Sequence, residues 1–136
     1  MNNTPQVKAP WLKSKDPEVP AALTYSELSM CSRVEEMVRR YPDYIAYEFM
    51  GKCTTYAEMW KKINACAKSL KAIGIREGDK VTICMPNAPQ TLCMFYAVNM
   101  VGAIANMVHP LSAESEIAFY LRDSGSVAAI TLDQFY

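Results

Sequence analysis

The chain is poor in the residues from which active sites are most easily read. It holds one histidine, His109, and five glycines spread singly at Gly51, Gly74, Gly78, Gly102 and Gly125. Phosphate loops need several close glycines so that backbone amides can wrap an anion. Neither GxGxxG nor GxxxxGK[ST] occurs. GxSxG, HExxH and clustered carboxylate pairs are also missing, which removes the common hydrolase and zinc-protease signatures. Net charge is lacking too: 14 Lys+Arg balance 14 Asp+Glu. No global field therefore draws the chain to nucleic acid or an acidic membrane. The five cysteines (Cys31, Cys53, Cys66, Cys84, Cys93) are odd in number and without CxxC spacing, which argues against a disulfide framework or a zinc site. They read as reduced thiols filling core space in a reducing, cytoplasmic compartment.

Long apolar runs are scarce. The N-terminal MNNTPQVKAPW has no apolar core of the kind a signal peptide needs. Thr91 to Leu111 is the one stretch apolar enough to raise a membrane span, but Asn99, Gly102, Asn106 and His109 interrupt it. A helix followed by a strand explains it better, and a membrane anchor there is the third-ranked reading.

What is present is a βαβ unit in a 136-residue chain, 51% hydrophobic, long enough for one domain's core. Lys80 to Met85 is a β-branched run launched by Gly78-Asp79 and stopped by Pro86. Asn87 is the expected N-cap, with Gln90 as its reciprocal partner, of a helix ending at Val101-Gly102. Ala103 to Val108 is a second strand, closed by His109-Pro110. Strands joined through a helix run parallel, with a right-handed crossover.

The flanks extend this unit. Residues 1–22 carry Pro5, Pro10, Pro17 and Pro20 and read as an extended arm, pinned by Trp11 and Leu12. A helix starts near Ser29 and ends at Tyr41-Pro42, with Val34, Met37, Val38 and Tyr41 on its apolar side. A hairpin follows, Tyr44 to Phe49 and Cys53 to Thr55, around a three-residue Met50-Gly51-Lys52 turn. Thr55 and Glu58 form a capping box for a helix whose stripe is Met59, Ile63, Cys66, Leu70 and Ile73. After the βαβ unit, Ser112 caps a helix with Ile117, Tyr120 and Leu121 inward, and Val127 to Leu132 is a third strand. The class is α/β: a β-hairpin followed by a β-α-β-α-β, partly built doubly wound parallel sheet.

Such sheets bind ligands beyond the carboxyl ends of their strands. Asn87, His109 and Asp133 wait there. Each has a plainer use: Asn87 as a cap, His109-Pro110 as a strand stop, and Asp133 as a residue near the end of the chain. A single histidine without a partner is a weak base. The residues alone name no catalytic, cofactor-binding or metal-binding side chain, and no cofactor.

The stretch from Thr55 to Ser126 nonetheless resembles the N-terminal part of adenylate-forming enzymes, the acyl-CoA synthetase group in particular. Thr55, Tyr56, Glu58 and Met59 match that family's T-Y-x-E-[LM]. Gly74, Ile75, Gly78, Asp79 and Val81 match its G-[IV]-x-x-G-D-x-V. Pro86-Asn87, Gly102-Ala103 and Pro110-Leu111 match its later P-N, G-A and P-L steps. Leu23 to Leu28 (LTYSEL) repeats the first motif but lacks the hairpin and the G-D strand around it. The ANMVHPLSAESEI segment is most similar to bacterial fatty acid–CoA ligases.

The resemblance implies a two-step reaction in a full-length parent. A fatty acid attacks the α-phosphate of ATP, releasing pyrophosphate, and coenzyme A then displaces AMP, with Mg²⁺ and a C-terminal-domain lysine assisting. Residues 23–136 would be the incomplete first segment of the AMP-binding domain. The implied partners are the rest of that domain and the C-terminal domain. The family's phosphate loop, nucleotide motifs and lysine find no matching positions here. The chain alone is therefore expected to be inactive and to self-associate through exposed faces. The alternative is a stand-alone α/β module that binds a ligand or partner without catalysis.

Overall fold

A sharp two-residue turn joins the first two strands of the chain. The computed structural model describes residues 10–20 and 22–135. Strand β1 (Ile45–Phe49) pairs antiparallel with β2 (Lys52–Thr55), and Phe49 faces Lys52 directly. Only Met50 and Gly51 therefore connect the strands, not three residues as expected. Both adopt positive φ, 51° and 77°, the twist-matched geometry of a two-residue hairpin. A bulge between Ile45 and Tyr47 bends the first strand.

Helix α1 (Met30–Arg40) precedes the hairpin and is capped by Ser29, whose side chain accepts the Ser32 amide. Helix α2 (Tyr56–Ala72) starts at the expected capping box: Thr55 Oγ1 accepts the Glu58 amide at 3.2 Å, and Glu58 Oε2 accepts the Thr55 amide at 3.0 Å. Its buried stripe is Met59, Ile63, Ala67 and Leu70. Cys66 is only half-buried, and Ile73, already at the C-cap, is 72% exposed. The apolar spacing continues one turn past the surface the helix covers.

Strands β3 (Lys80–Cys84), β4 (Ile104–Met107) and β5 (Ala128–Thr131) form a parallel sheet in the order β4-β3-β5. Helix α3 (Pro89–Val101) links the first two and α4 (Glu114–Ser124) links the last two. The expected β-α-β-α-β unit is thus present. Its winding reverses after β4, which places the switch point between the carboxyl ends of β3 and β5.

The two helix starts differ from expectation. Ala88 is the N-cap of α3, with Pro89 inside the first turn, so Asn87 lies one residue outside. Proline suits that first position because its missing amide would be unbonded anyway. Ala113, not Ser112, caps α4, and only Glu116 reaches back, to the Ala113 amide at 3.1 Å. Gly102 ends α3 at φ 83°, where an added Cβ would come within 3.0 Å of Glu77 Cγ.

Alternation along β3 separates two faces. Val81 and Ile83 join Met59, Ile63, Leu70, Cys93, Ala97 and Val98 in the core beneath α2 and α3. Thr82 faces the other way, toward the α4 end of the chain, where it bonds Ser126. Helix α4 buries none of its residues, and Tyr120, expected inside, is 41% exposed. Pro10–Ser14 forms a 3-10 turn rather than extended chain, and Trp11, expected to pin it, is 66% exposed. Residues 1–9 of the expected arm lie outside the described residues.

Candidate functional site at the carboxyl edge of the sheet

Prolines end two of the three parallel strands, so the chain leaves the sheet abruptly and opens a recess. A cavity of about 410 Å³ lies between the segment after β3 and the segment after β4. Asn87 and His109 both line it, together with Met85 and Val108. The structure thus brings together two of the three polar residues considered. Asp133, in a short 3-10 turn after β5, is not part of that wall. Asn87 also borders a second groove, of about 360 Å³, between the hairpin residues Tyr47 and Phe49 and the start of α3.

The geometry limits what His109 can do. Its Nδ1 accepts the Leu111 amide at 3.2 Å, so the neutral ring carries its proton on Nε2. Among the described residues no carboxylate bonds that Nε2, and the ring is exposed. His109 is a positioned donor at a strand end, with its carbonyl accepting the Cys84 thiol at 3.9 Å. At the start of α3, Thr91 Oγ1 donates to the Pro86 carbonyl at 2.6 Å and fixes the turn.

The glycines sit on the wrong edge for phosphate. Gly78, Gly102 and Gly125 lie within three residues before β3, β4 and β5, at the amino ends of the strands. Gly78 and Gly102 are joined there by an amide-to-carbonyl bond of 3.0 Å. The carboxyl edge has Pro86 and Pro110 instead, so no glycine-lined cradle faces the recess. Among the described residues no group of three or more His, Cys, Asp or Glu is placed to hold a metal.

One polar feature escapes any local reading of the sequence. Asn106 Nδ2 donates to Thr82 Oγ1 at 3.0 Å, and Thr82 Oγ1 lies 2.7 Å from Ser126 Oγ. Ser126 Oγ is 2.8 Å from Ser124 Oγ, which donates to the Leu121 carbonyl at 3.3 Å. Because each hydroxyl has one proton, the final donation fixes the direction of the whole chain: Asn106 to Thr82 to Ser126 to Ser124 to Leu121. It stitches β4 and β3 to the turn before β5. Asn106 in mid-strand is the only local signal of this chain of hydrogen bonds, and in the sequence it interrupts an apolar run.

Burial raises the thiols of Cys31, Cys66, Cys84 and Cys93 above their ordinary value. None of the five cysteines is in a disulfide. Among the described residues no helix is long and apolar enough to cross a membrane, and Thr91 to Leu111 divides into most of α3, Gly102, β4 and the loop after it.

Comparison with known proteins decides what this architecture belongs to. The model of the family described as AMP-binding enzyme matches residues 34–135, most of the chain. The chain belongs to that family. Across 131 residues this AMP-binding family chain is 31% identical to the long-chain-fatty-acid–CoA ligase of Bacillus subtilis (strain 168). That match covers 96% of the chain but 23% of the ligase, so the chain spans about a quarter of its relative's length. Among solved structures, it matches the inhibitor-bound N-terminal domain of FACL13 from Mycobacterium tuberculosis with TM-score 0.71 and 34% identity, over 74% of this chain and 26% of that one. The Klebsiella oxytoca NpsA N-terminal subdomain, in complex with anthranilyl-AMSN, matches with TM-score 0.74 and 27% identity, over 76% of this chain and 27% of that one. The α/β fold is therefore the N-terminal part of the subdomain that opens adenylation enzymes.

Proposed function

We propose that this chain is the opening segment of the adenylation domain of an ATP-dependent long-chain fatty acid–CoA ligase, and that its role there is architectural. The observation carrying this reading is the pairing of nearly complete coverage of the chain with 23% coverage of the ligase relative. The parent reaction joins a fatty acid, ATP and coenzyme A into an acyl-CoA, AMP and pyrophosphate. Coenzyme A supplies the thiol and Mg²⁺ the counter-charge for the phosphates in that parent.

The residues of this chain do not fit a Mg²⁺–nucleotide site by themselves. Gly78, Gly102 and Gly125 lie at the amino edge, and the recess at the carboxyl edge is lined by prolines, one amide and one histidine but no carboxylate. No step of the reaction is assigned to them. The chain instead supplies a capped βαβ scaffold whose carboxyl edge forms one wall of a larger site, in a cytoplasmic enzyme. A self-contained binding module fits less well, because α4 and the outer faces of β4 and β5 remain largely uncovered.

Fatty-acid-dependent ATP–pyrophosphate exchange tests the architectural role. The 136-residue chain is expected to give no exchange above background. Exchange by this chain alone would overturn the reading.

A further inference from the structure

We propose that Cys66, Cys93 and Met94 form a three-sulfur site for a thiophilic monovalent cation of the Cu(I) and Ag(I) class. Helices α2 and α3 pack along each other, and a groove of about 320 Å³ opens beside their contact. Cys66 from α2 and Cys93 and Met94 from α3 line it, with Lys62, Pro89 and Gln90 completing the wall. Cys93 is buried, while Cys66 and Met94 are half-buried, so the groove reaches solvent from a sheltered base. Both thiols are free.

The donor set selects the cation. Thiolate and thioether sulfur prefer soft d¹⁰ ions such as Cu(I), whereas Mg²⁺ and Ca²⁺ need oxygen ligands. No carboxylate lines this groove. Structural zinc takes four ligands, and only three sulfurs are available. Charge also balances: two thiolates and one monovalent cation leave a single negative charge beside the Lys62 ammonium. Lys62 Nζ is held within 3.4 Å of the Tyr47 hydroxyl, at one end of the same helical face.

Binding is ligand exchange without redox change. Two S–H bonds break, two sulfur–metal bonds form, both protons pass to water, and copper remains Cu(I).

Anaerobic titration of the full chain with Cu(I), in competition with a chromogenic Cu(I) chelator, tests the site. One equivalent should be held against the chelator. Cys66→Ser and Cys93→Ala should each lower affinity about 10-fold or more, and Met94→Leu should lower it less. Cys53→Ser, at an exposed position elsewhere, should change nothing. Because Cys93 is in the core, far-UV circular dichroism establishes that its variant is folded. X-ray absorption of the wild-type chain provides a mutation-free check and should report a shell of sulfur only. Failure to retain copper, equal retention by the Cys66→Ser/Cys93→Ala double variant, or a nitrogen–oxygen shell would each overturn the proposal.

Discussion

Thr82 shows how much a single hydroxyl can organise. It is fully buried on the central strand, accepts from Asn106 and donates to Ser126. Thr82→Val keeps the shape but strands the Asn106 donor and leaves Ser126 Oγ without the hydrogen bond it accepts. The expected cost is about 1–3 kcal/mol in urea unfolding, the penalty for part-buried polar groups losing partners. A variant as stable as the parent would show that water replaces the hydroxyl. The thiols give a second prediction at this scale. Four of them are raised by burial, so the unfolded chain ionises them at lower pH than the folded one. The unfolded state then binds fewer protons. Stability should therefore be unaffected below the ordinary thiol value of 9.0 and fall as pH rises through and beyond it. Melting points recorded from neutral to alkaline pH check this, and a Cys31→Ala/Cys66→Ala/Cys84→Ala/Cys93→Ala variant should lose that part of the slope.

Elements were legible wherever the signal was local. The β-branched run of β3, the Thr55–Glu58 capping box and the glycine stop of α3 are each written in a few consecutive residues, and each lies where expected. The misplaced caps show the limit of such reading. Asn87 offers a good capping side chain, yet Pro89 fits the first helical turn better and moves the start by one residue. The hairpin shows another limit, because turn length depends on cross-strand register, which no local motif states. Its Met50 pays for a left-handed conformation at φ 51° while 91% exposed. Asparagine tolerates that region and favours two-residue turns before glycine. Met50→Asn should therefore raise stability by about 0.5–1 kcal/mol, half or more of the left-handed penalty for an ordinary residue. A thermal melt that moves downward would contradict this hairpin geometry. The Thr82–Ser126 link was invisible for the same reason as the register: its partners are 44 residues apart.

The whole molecule is finished on one face and open on the other. Beneath α2 and α3 the core is continuous, but Leu111 before α4, Phe119 within it and Val127 after it are exposed, and β4 and β5 each lack a second neighbour among the described residues. Unpaired edges beside apolar surface promote association. Sedimentation velocity of the isolated chain should show average mass rising with concentration, and a concentration-independent monomer would contradict the open-face account. The candidate site follows the same division. The recess at the carboxyl edge was legible from three strand ends, because parallel sheets place sites there. The shared wall of Asn87 and His109 was not, because strand order decides that β3 and β4 end side by side; β5 also ends beside β3, but Asp133 falls in the 3-10 turn after it and lines no part of that wall. The central claim is that this chain is the first part of a larger adenylation domain, and the coding sequence beyond the codon for Tyr136 tests it most directly. The account predicts an open frame continuing into a Ser/Thr/Gly-rich phosphate loop. A stop codon at that position would contradict it.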